Sequence, residues 1–317
     1  MKRFLSKYIL ALFVLFSAIS VLPTGLSVAS EGRAQAHKVV DQTGREIFVP
    51  KHPVRVVSLS PSMTEIIFDL GCENRLVGVT RFSNYPEKAK SVPRVGTYIY
   101  LDTERIVSLA PDLCIAIKDG NPKAVVDRLS GLGIPVYAVD PRDIKTVMQT
   151  VIETGILLGV EKRAQKLVRS MRERLSRISV RLPSSVERPK VFLQIGISPI
   201  VSAGKGTFVD ELIRLAGGDN AAGMFSGYPR FSVEDVLSLG PDIIIVSSMA
   251  RDRSFVEAIK KWRSWPGLPA AKSGRIFPAD SDLLNRPTPR LVDGLEELAA
   301  LIHPEIFGHD PAKARGD

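Results

Sequence analysis

The sequence predicts an α/β protein built as two like lobes joined by a long helix, and three observations carry that prediction. First, one stretch occurs twice: Thr103-Glu104-Arg105-Ile106-Val107-Ser108-Leu109-Ala110-Pro111-Asp112-Leu113-Cys114-Ile115-Ala116-Ile117, and Val233-Glu234-Asp235-Val236-Leu237-Ser238-Leu239-Gly240-Pro241-Asp242-Ile243-Ile244-Ile245-Val246-Ser247. Each copy reads as a short helix opened by an acid and stopped by a small residue plus Pro-Asp, then an apolar β-branched run that suits a buried parallel strand. Second, the flanks repeat in the same order: residues 65–74 match 211–220, and residues 133–140 resemble 274–280. Third, a helical pattern runs from Asp143, with a break near Gly159, to about Ile178, between the two halves. The expected organisation is a first lobe over 37–142, a linking helix over 143–182 and a second lobe over 183–317. The cleft between the lobes is then the default ligand site.

The N-terminus is of another kind. Met1-Lys2-Arg3-Phe4-Leu5-Ser6-Lys7 is basic and residues 8–22 are almost purely apolar, the length of a signal-peptide core and short for a membrane span. Residues 1–36 are therefore expected to be a cleaved signal peptide, with small residues permitting cleavage after Ala29 or, preferably, Ala36. No cysteine lies near either position, so the expectation is an unanchored protein in a periplasm-like compartment.

Past that segment, two alternating runs around Asp41-Gln42-Thr43-Gly44 give a hairpin. Residues 55–60 form a strand that enters Pro61-Ser62-Met63-Thr64-Glu65, where Ser60 caps a helix and Pro61 suits its first turn. Residues 75–80 are the next strand, 81–86 its exit loop, and 92–100 a loop carrying Tyr98 and Tyr100. The first repeat copy follows, then a helix over 121–132 and a strand over 136–140. The second lobe opens with a strand over 191–196, a loop to Thr207, a helix over 208–216 and the loop 226–231. After the second copy come a helix holding Trp262 and Trp265, a strand over 275–278, the loop 280–289 and a closing helix through Leu301, with a frayed tail over 309–317. In open α/β sheets ligands bind outside the C-terminal ends of the strands.

Composition agrees with a soluble globular protein: 317 residues, 44% hydrophobic and 24% charged. The formal charge of +9 has a local source, since eight basic residues fall between Glu161 and Arg181 at helical spacing with Ala164, Leu167, Val168 and Met171. An exported protein meets little nucleic acid, so this reads as a solvated basic helix face, with anionic lipid head groups as the alternative contact. Export permits a disulfide between Cys72 and Cys114, whereas the strand setting of Cys114 suits an inert buried thiol.

Several chemistries are missing. Ala203-Gly204-Lys205-Gly206-Thr207 fails as a phosphate loop because Pro199 stands where the motif needs its first glycine. There is no nucleophile elbow and no dinucleotide fingerprint. His37, His52, His303 and His309 all fall outside the predicted strand-end loops, which disfavours a histidine metal site and a histidine-based hydrolase. No enzyme activity, metal or cofactor is expected.

Three runs resemble a known family: Arg55-Val56-Val57-Ser58-Leu59-Ser60-Pro61-Ser62 with Thr64-Glu65, Glu104-Arg105-Ile106 through Leu109 and Pro111-Asp112-Leu113, and Val191-Phe192-Leu193-Gln194-Ile195-Gly196-Ile197-Ser198-Pro199. The resemblance is to the substrate-binding proteins of ABC importers for cobalamin, iron-siderophores and haem. It spans nearly the whole chain past the signal segment, and the third run together with residues 281–290 makes it most similar to the cobalamin-binding members. It implies the class III periplasmic-binding-protein fold, two Rossmann-like lobes bridged by one long helix. It also implies a cobalamin-like corrinoid as transported ligand, with ligand contacts at Phe82, Tyr98, Tyr228, Asp282 and Arg286. Aromatic faces would pack on the macrocycle, and Asp and Arg would bond its amide rim. Val201 and Ile117 stand where those members carry further aromatics.

For haem, the family's ligating tyrosine directly follows a Val-Gly pair, but Val95-Gly96 is followed by Thr97. A ferric siderophore would need cleft cations, which Arg81, Lys118, Arg230 and Arg286 are placed to supply. Glu104 and Glu234 hold equivalent places in the two copies, and the resemblance implies that they dock the two subunits of an inner-membrane permease dimer. Their plainer role is to offset a helix dipole. A monomer, with a small-molecule ligand and no nucleic-acid partner, completes the expectation.

Overall fold

The computed structural model describes residues 36–247 and 253–308. The expected signal peptide and the expected tail lie outside the described residues, except for Ala36, which opens the first strand.

β1 (Ala36–Val40) and β2 (Glu46–Pro50) form the antiparallel hairpin, whose turn is closed by the Asp41 carboxylate accepting from the Thr43 and Arg45 backbone N–H groups. β3 (Val56–Ser58) runs into α1 (Pro61–Asp69), capped by Ser60, whose side chain accepts from Met63 N. β4 (Leu76–Val79), α2 (Thr103–Ser108), β5 (Leu113–Ile117), α3 (Lys123–Gly131) and β6 (Val136–Val139) complete the first lobe. Its sheet is parallel, in the order β4-β3-β5-β6. Both faces are covered: Val56, Leu113 and Ile115 point into one buried cluster while Val57, Cys114 and Ala116 point into another. That is why these strands are uninterrupted apolar runs. Cys72 and Cys114 are both free and buried, and burial pushes the Cys114 thiol up to about 12.

The connection between lobes is two helices, α4 (Ile144–Leu157) and α5 (Glu161–Arg181), rather than the single helix expected over 143–182. Gly159 is left-handed at φ 66°. The N–H of Val160 bonds to Gly155 O and that of Gly159 to Ile156 O, the paired bonds of a Schellman stop. Gly155 allows the close crossing after the turn, since a Cβ there would sit 2.4 Å from the Ala164 Cβ.

The second lobe contains β7 (Lys190–Gly196), β8 (Ile200–Ser202), α6 (Phe208–Leu215), β9 (Asp219–Asn220), β10 (Arg230–Phe231), α7 (Val233–Leu239), β11 (Ile243–Val246), α8 (Arg253–Arg263), α9 (Pro269–Lys272), β12 (Ile276–Pro278), α10 (Ser281–Leu284), α11 (Leu291–Ile302) and α12 (Pro304–Phe307). Its parallel strands β9, β7, β11 and β12 reproduce the order of β4, β3, β5 and β6. β8 and β10 add an antiparallel edge.

The repeat is physical as well as sequential. The Asp112 carboxylate accepts from Arg55 N at 3.0 Å, and the Asp242 carboxylate from Lys190 N at 2.8 Å. The side chain of Arg55 donates to Leu109 O, and that of Lys190 to Leu239 O. The small residue before each Pro-Asp is left-handed, Ala110 at φ 44° and Gly240 at φ 57°. One side chain thus caps a helix end while the aspartate fixes the start of the neighbouring strand, in both lobes.

The largest buried cluster runs through Ile66 and Leu113 of the first lobe, Val147, Val151 and Met171 of α4 and α5, and Leu193, Leu212 and Leu295 of the second. The lobes share a core through their connecting helices.

Candidate functional site

At the C-terminal edge of the first sheet, hydroxyls fix the loops. Thr64 Oγ1 lies 2.9 Å from both Ser58 Oγ and Ser83 Oγ, and Arg94 donates to Thr80 O and Ser83 O. The loop after β4 is held, and it presents Phe82, Asn84 and Tyr85 outward. Asn121 fixes the next loop: its Nδ2 donates to Leu59 O and Tyr98 O at 2.8 and 2.7 Å, and its Oδ1 accepts from Ile117 N. Phe82 and Tyr98 meet edge to face, centroids 6.2 Å apart. Gly120 leaves room for this, because a Cβ there would lie 3.1 Å from Tyr98 Cδ2.

Opposite them, the segment after β12 carries Asp282 on α10 and Arg286 and Arg290 in the loop that follows it. Arg286 Nη1 donates to Glu65 Oε1 at 2.8 Å and to Asn84 Oδ1 at 2.9 Å, and Nη2 lies 2.9 Å from Asp282 Oδ1. Arg290 Nη1 reaches Glu65 Oε2 at 3.3 Å, with its guanidinium 3.7 Å over the Tyr85 ring. Glu65 is 1% exposed. Burial pushes its carboxyl up, against the pull of Arg286 and then Arg290. This network joins α1 and the β4 loop of one lobe to the β12 loop of the other.

Of the expected contacts, the structure thus brings Phe82 against Tyr98 and Asp282 against Arg286. Tyr228 is 53% exposed, as Phe82 is at 48%. Its phenol is raised, by burial and then by the charge of Asp119. Lys118, also exposed, is tied to Asp140 at 2.9 Å, which leaves Arg81 and Arg230 as the exposed cations of the expected set with no ion pair among the described residues. Glu104 and Glu234 both sit at the second position of their helices, behind the caps Asp102 and Ser232, and both are exposed.

Sequence reasoning missed Glu65 as a site residue. Its signal was a charge inside Met63-Thr64-Glu65-Ile66-Ile67, an otherwise uncharged stretch of helix that buries all five.

The family model described as periplasmic binding protein matches residues 56–283. This chain belongs to that family. It is 33% identical over 273 residues to an uncharacterized ABC transporter substrate-binding lipoprotein of Bacillus subtilis, covering 84% of this chain and 85% of the relative. The crystal structure of the periplasmic vitamin B12 binding protein of Vibrio cholerae is similar at a TM-score of 0.70 and 29% identity, covering 80-odd per cent here (81%) and 99% there. A periplasmic heme binding protein from Pseudomonas aeruginosa is similar at 0.72 and 32%, covering 80% and 94%.

A periplasmic binding protein of an ABC importer holds its ligand and does no chemistry on it. The site suits that: rings half in solvent on both lobes beside a buried ion network, with the four hydrogens of the two Arg286 Nη groups directed at Glu65, Asn84, Asp282 and, at 3.5 Å, Phe82 O.

Proposed function

We propose that this periplasmic binding protein works outside the cytoplasmic membrane as a monomer and captures a cobalamin-like corrinoid between lobes 37–142 and 183–317. It then delivers the ligand to a two-subunit permease. The observation that carries the reading is the pairing of exposed rings with hydrogen-bonding groups. Phe82, Tyr98 and Tyr228 offer rings to a flat macrocycle, and the Asn84–Arg286–Asp282 cluster brings polar groups of both lobes together for its amide rim. Similarity to the vitamin B12 binding protein of Vibrio cholerae supports it.

Haem is the second reading, favoured by the 32% identity to the heme binding protein. Against it, Tyr98 is displaced by Thr97, whose N–H and hydroxyl close a turn on Tyr100. A ferric siderophore is supported less, because Lys118 and Arg286 are already paired. Glu104 and Glu234, exposed at matching helix positions, are proposed to meet the two permease subunits. Intrinsic-fluorescence titration of the purified protein with cyanocobalamin, haemin and a ferric siderophore separates the three, with saturation expected for cyanocobalamin alone.

A further inference from the structure

A second concavity lies away from the cleft. It has a volume of about 780 Å³ and is lined by the start of α4, the end of α5, the 182–188 segment and the end of α6. Arg188 on its rim donates to Arg214 O and Gly218 O just before β7 begins, which places it at the N-terminal edge of the second sheet. The cleft loops belong to the other edge. The first turn of α4 and the last turns of α5 border the same space because the Gly159 stop folds the helices back on each other.

The wall is aliphatic. Ile144, Met148, Ile152, Leu175, Ile178 and Leu215 form it, and no aromatic residue contributes. Ile144, Met148 and Ile178 are buried in its floor, Ile152 and Leu175 are half-buried, and Leu215 is 39% exposed. An aliphatic lining without a ring to stack on suits a flexible chain better than a flat heterocycle.

The rim is cationic: Lys145, Arg172, Arg188 and Arg214 against the single acid Glu211. Glu211 is committed to Ile144 N at 2.8 Å, Arg188 to Asp219 and Arg214 to Asp210. Lys145 and Arg172 have no partner among the described residues and stand exposed, one on each helix of the pair. Two free cations at the mouth of an aliphatic groove complement one anionic head on one chain.

We propose that this groove is a second ligand site, for a single-chain amphiphile with a carboxylate head. The chain lies against Ile152, Leu175 and Leu215, and the head meets Lys145 and Arg172. The probe is dodecanoate below its micelle-forming concentration, titrated calorimetrically into the purified mature protein, with dodecyltrimethylammonium as the charge control and cyanocobalamin as competitor. The expected result is saturable binding of dodecanoate, at least about tenfold tighter than that of the cationic amphiphile, and unaffected by cyanocobalamin. The double variant Lys145→Glu/Arg172→Glu, which alters two exposed unpaired residues, should weaken dodecanoate about tenfold or more and leave cyanocobalamin titration as in wild type. Ile152→Asp, charging the wall, should weaken both amphiphiles. Equal binding of the two amphiphiles, displacement by cyanocobalamin, an unchanged double variant or no saturable binding would each overturn the proposal. None of these results depends on whether the cleft ligand is a corrinoid.

Discussion

Glu65 and Arg286 are 221 residues apart in sequence and 2.8 Å apart in the fold, with side chains 1% and 11% exposed. A carboxylate in that setting is tolerable only with its partners in place. Removing one member of a buried pair typically costs roughly 3–5 kcal/mol, far more than an exposed pair is worth. Arg286→Ala should therefore lower unfolding free energy by about 3 kcal/mol. Adding Glu65→Gln to it should recover a good part, because the uncompensated charge is gone. Urea unfolding of both singles and the double gives the coupling. Additive effects would show that the pair does not tie the lobes together.

Asp69 follows Glu65 by one helical turn, and burial together with the Glu65 charge raises it from 3.8 to about 6, with Arg290 pulling the other way. A carboxyl whose folded value is raised binds its proton more readily folded than unfolded. Its contribution is therefore stabilising when protonated and fades as pH rises through about 6. Asp69→Asn should accordingly stand higher relative to wild type at about pH 7.5 than at about pH 4.5. Asp69 is enclosed by neighbouring groups yet its side chain still reaches solvent, and solvent screening holds the difference to about 1 kcal/mol or less. Thermal unfolding at the two pH values reads it, and a gap that narrows as pH rises would contradict the sign.

Much of the fold was legible because the repeated Pro-Asp has a local job. Asp112 and Asp242 each bond the start of the neighbouring strand, and Ala110 and Gly240 each turn left-handed. Short-range chemistry of that kind leaves a pattern in sequence. The break at Gly159 was visible as a glycine, but that it ends one helix and starts another depends on the close approach of Gly155 to Ala164, which no local signal states. β8 and β10 were missed because two- and three-residue strands carry too little alternation to detect. Within the site, aromatic positions in strand-end loops were readable. The role of Arg286 was not, since its partner Glu65 is fixed by tertiary folding alone.

Tyr98→Ala and Tyr228→Ala test the ring contacts. Neither side chain makes a side-chain hydrogen bond among the described residues, and Tyr98 is held through its main-chain oxygen by Asn121. Each variant should fold with little change in melting temperature and lose about 2 kcal/mol of ligand binding, about thirtyfold in Kd. Binding like wild type in both would remove the rings from the site.

The docking proposal rests on Glu104 and Glu234 occupying the same helix position on the two lobes. The double variant Glu104→Ala/Glu234→Ala should shift stability by no more than about 2 kcal/mol, the size of two helix-dipole effects, and keep ligand affinity. Transport through the cognate permease in reconstituted vesicles should fall sharply. Wild-type transport rates would leave the dipole role as the whole function of these residues.

Calorimetric titration of the purified protein with cyanocobalamin is the most direct measurement, run beside haemin under the same conditions. The prediction is one saturable site for cyanocobalamin, weakened about thirtyfold by Tyr98→Ala, with no saturable heat for haemin. Saturable haemin binding with none for cyanocobalamin would contradict the corrinoid reading while leaving the family and fold as described.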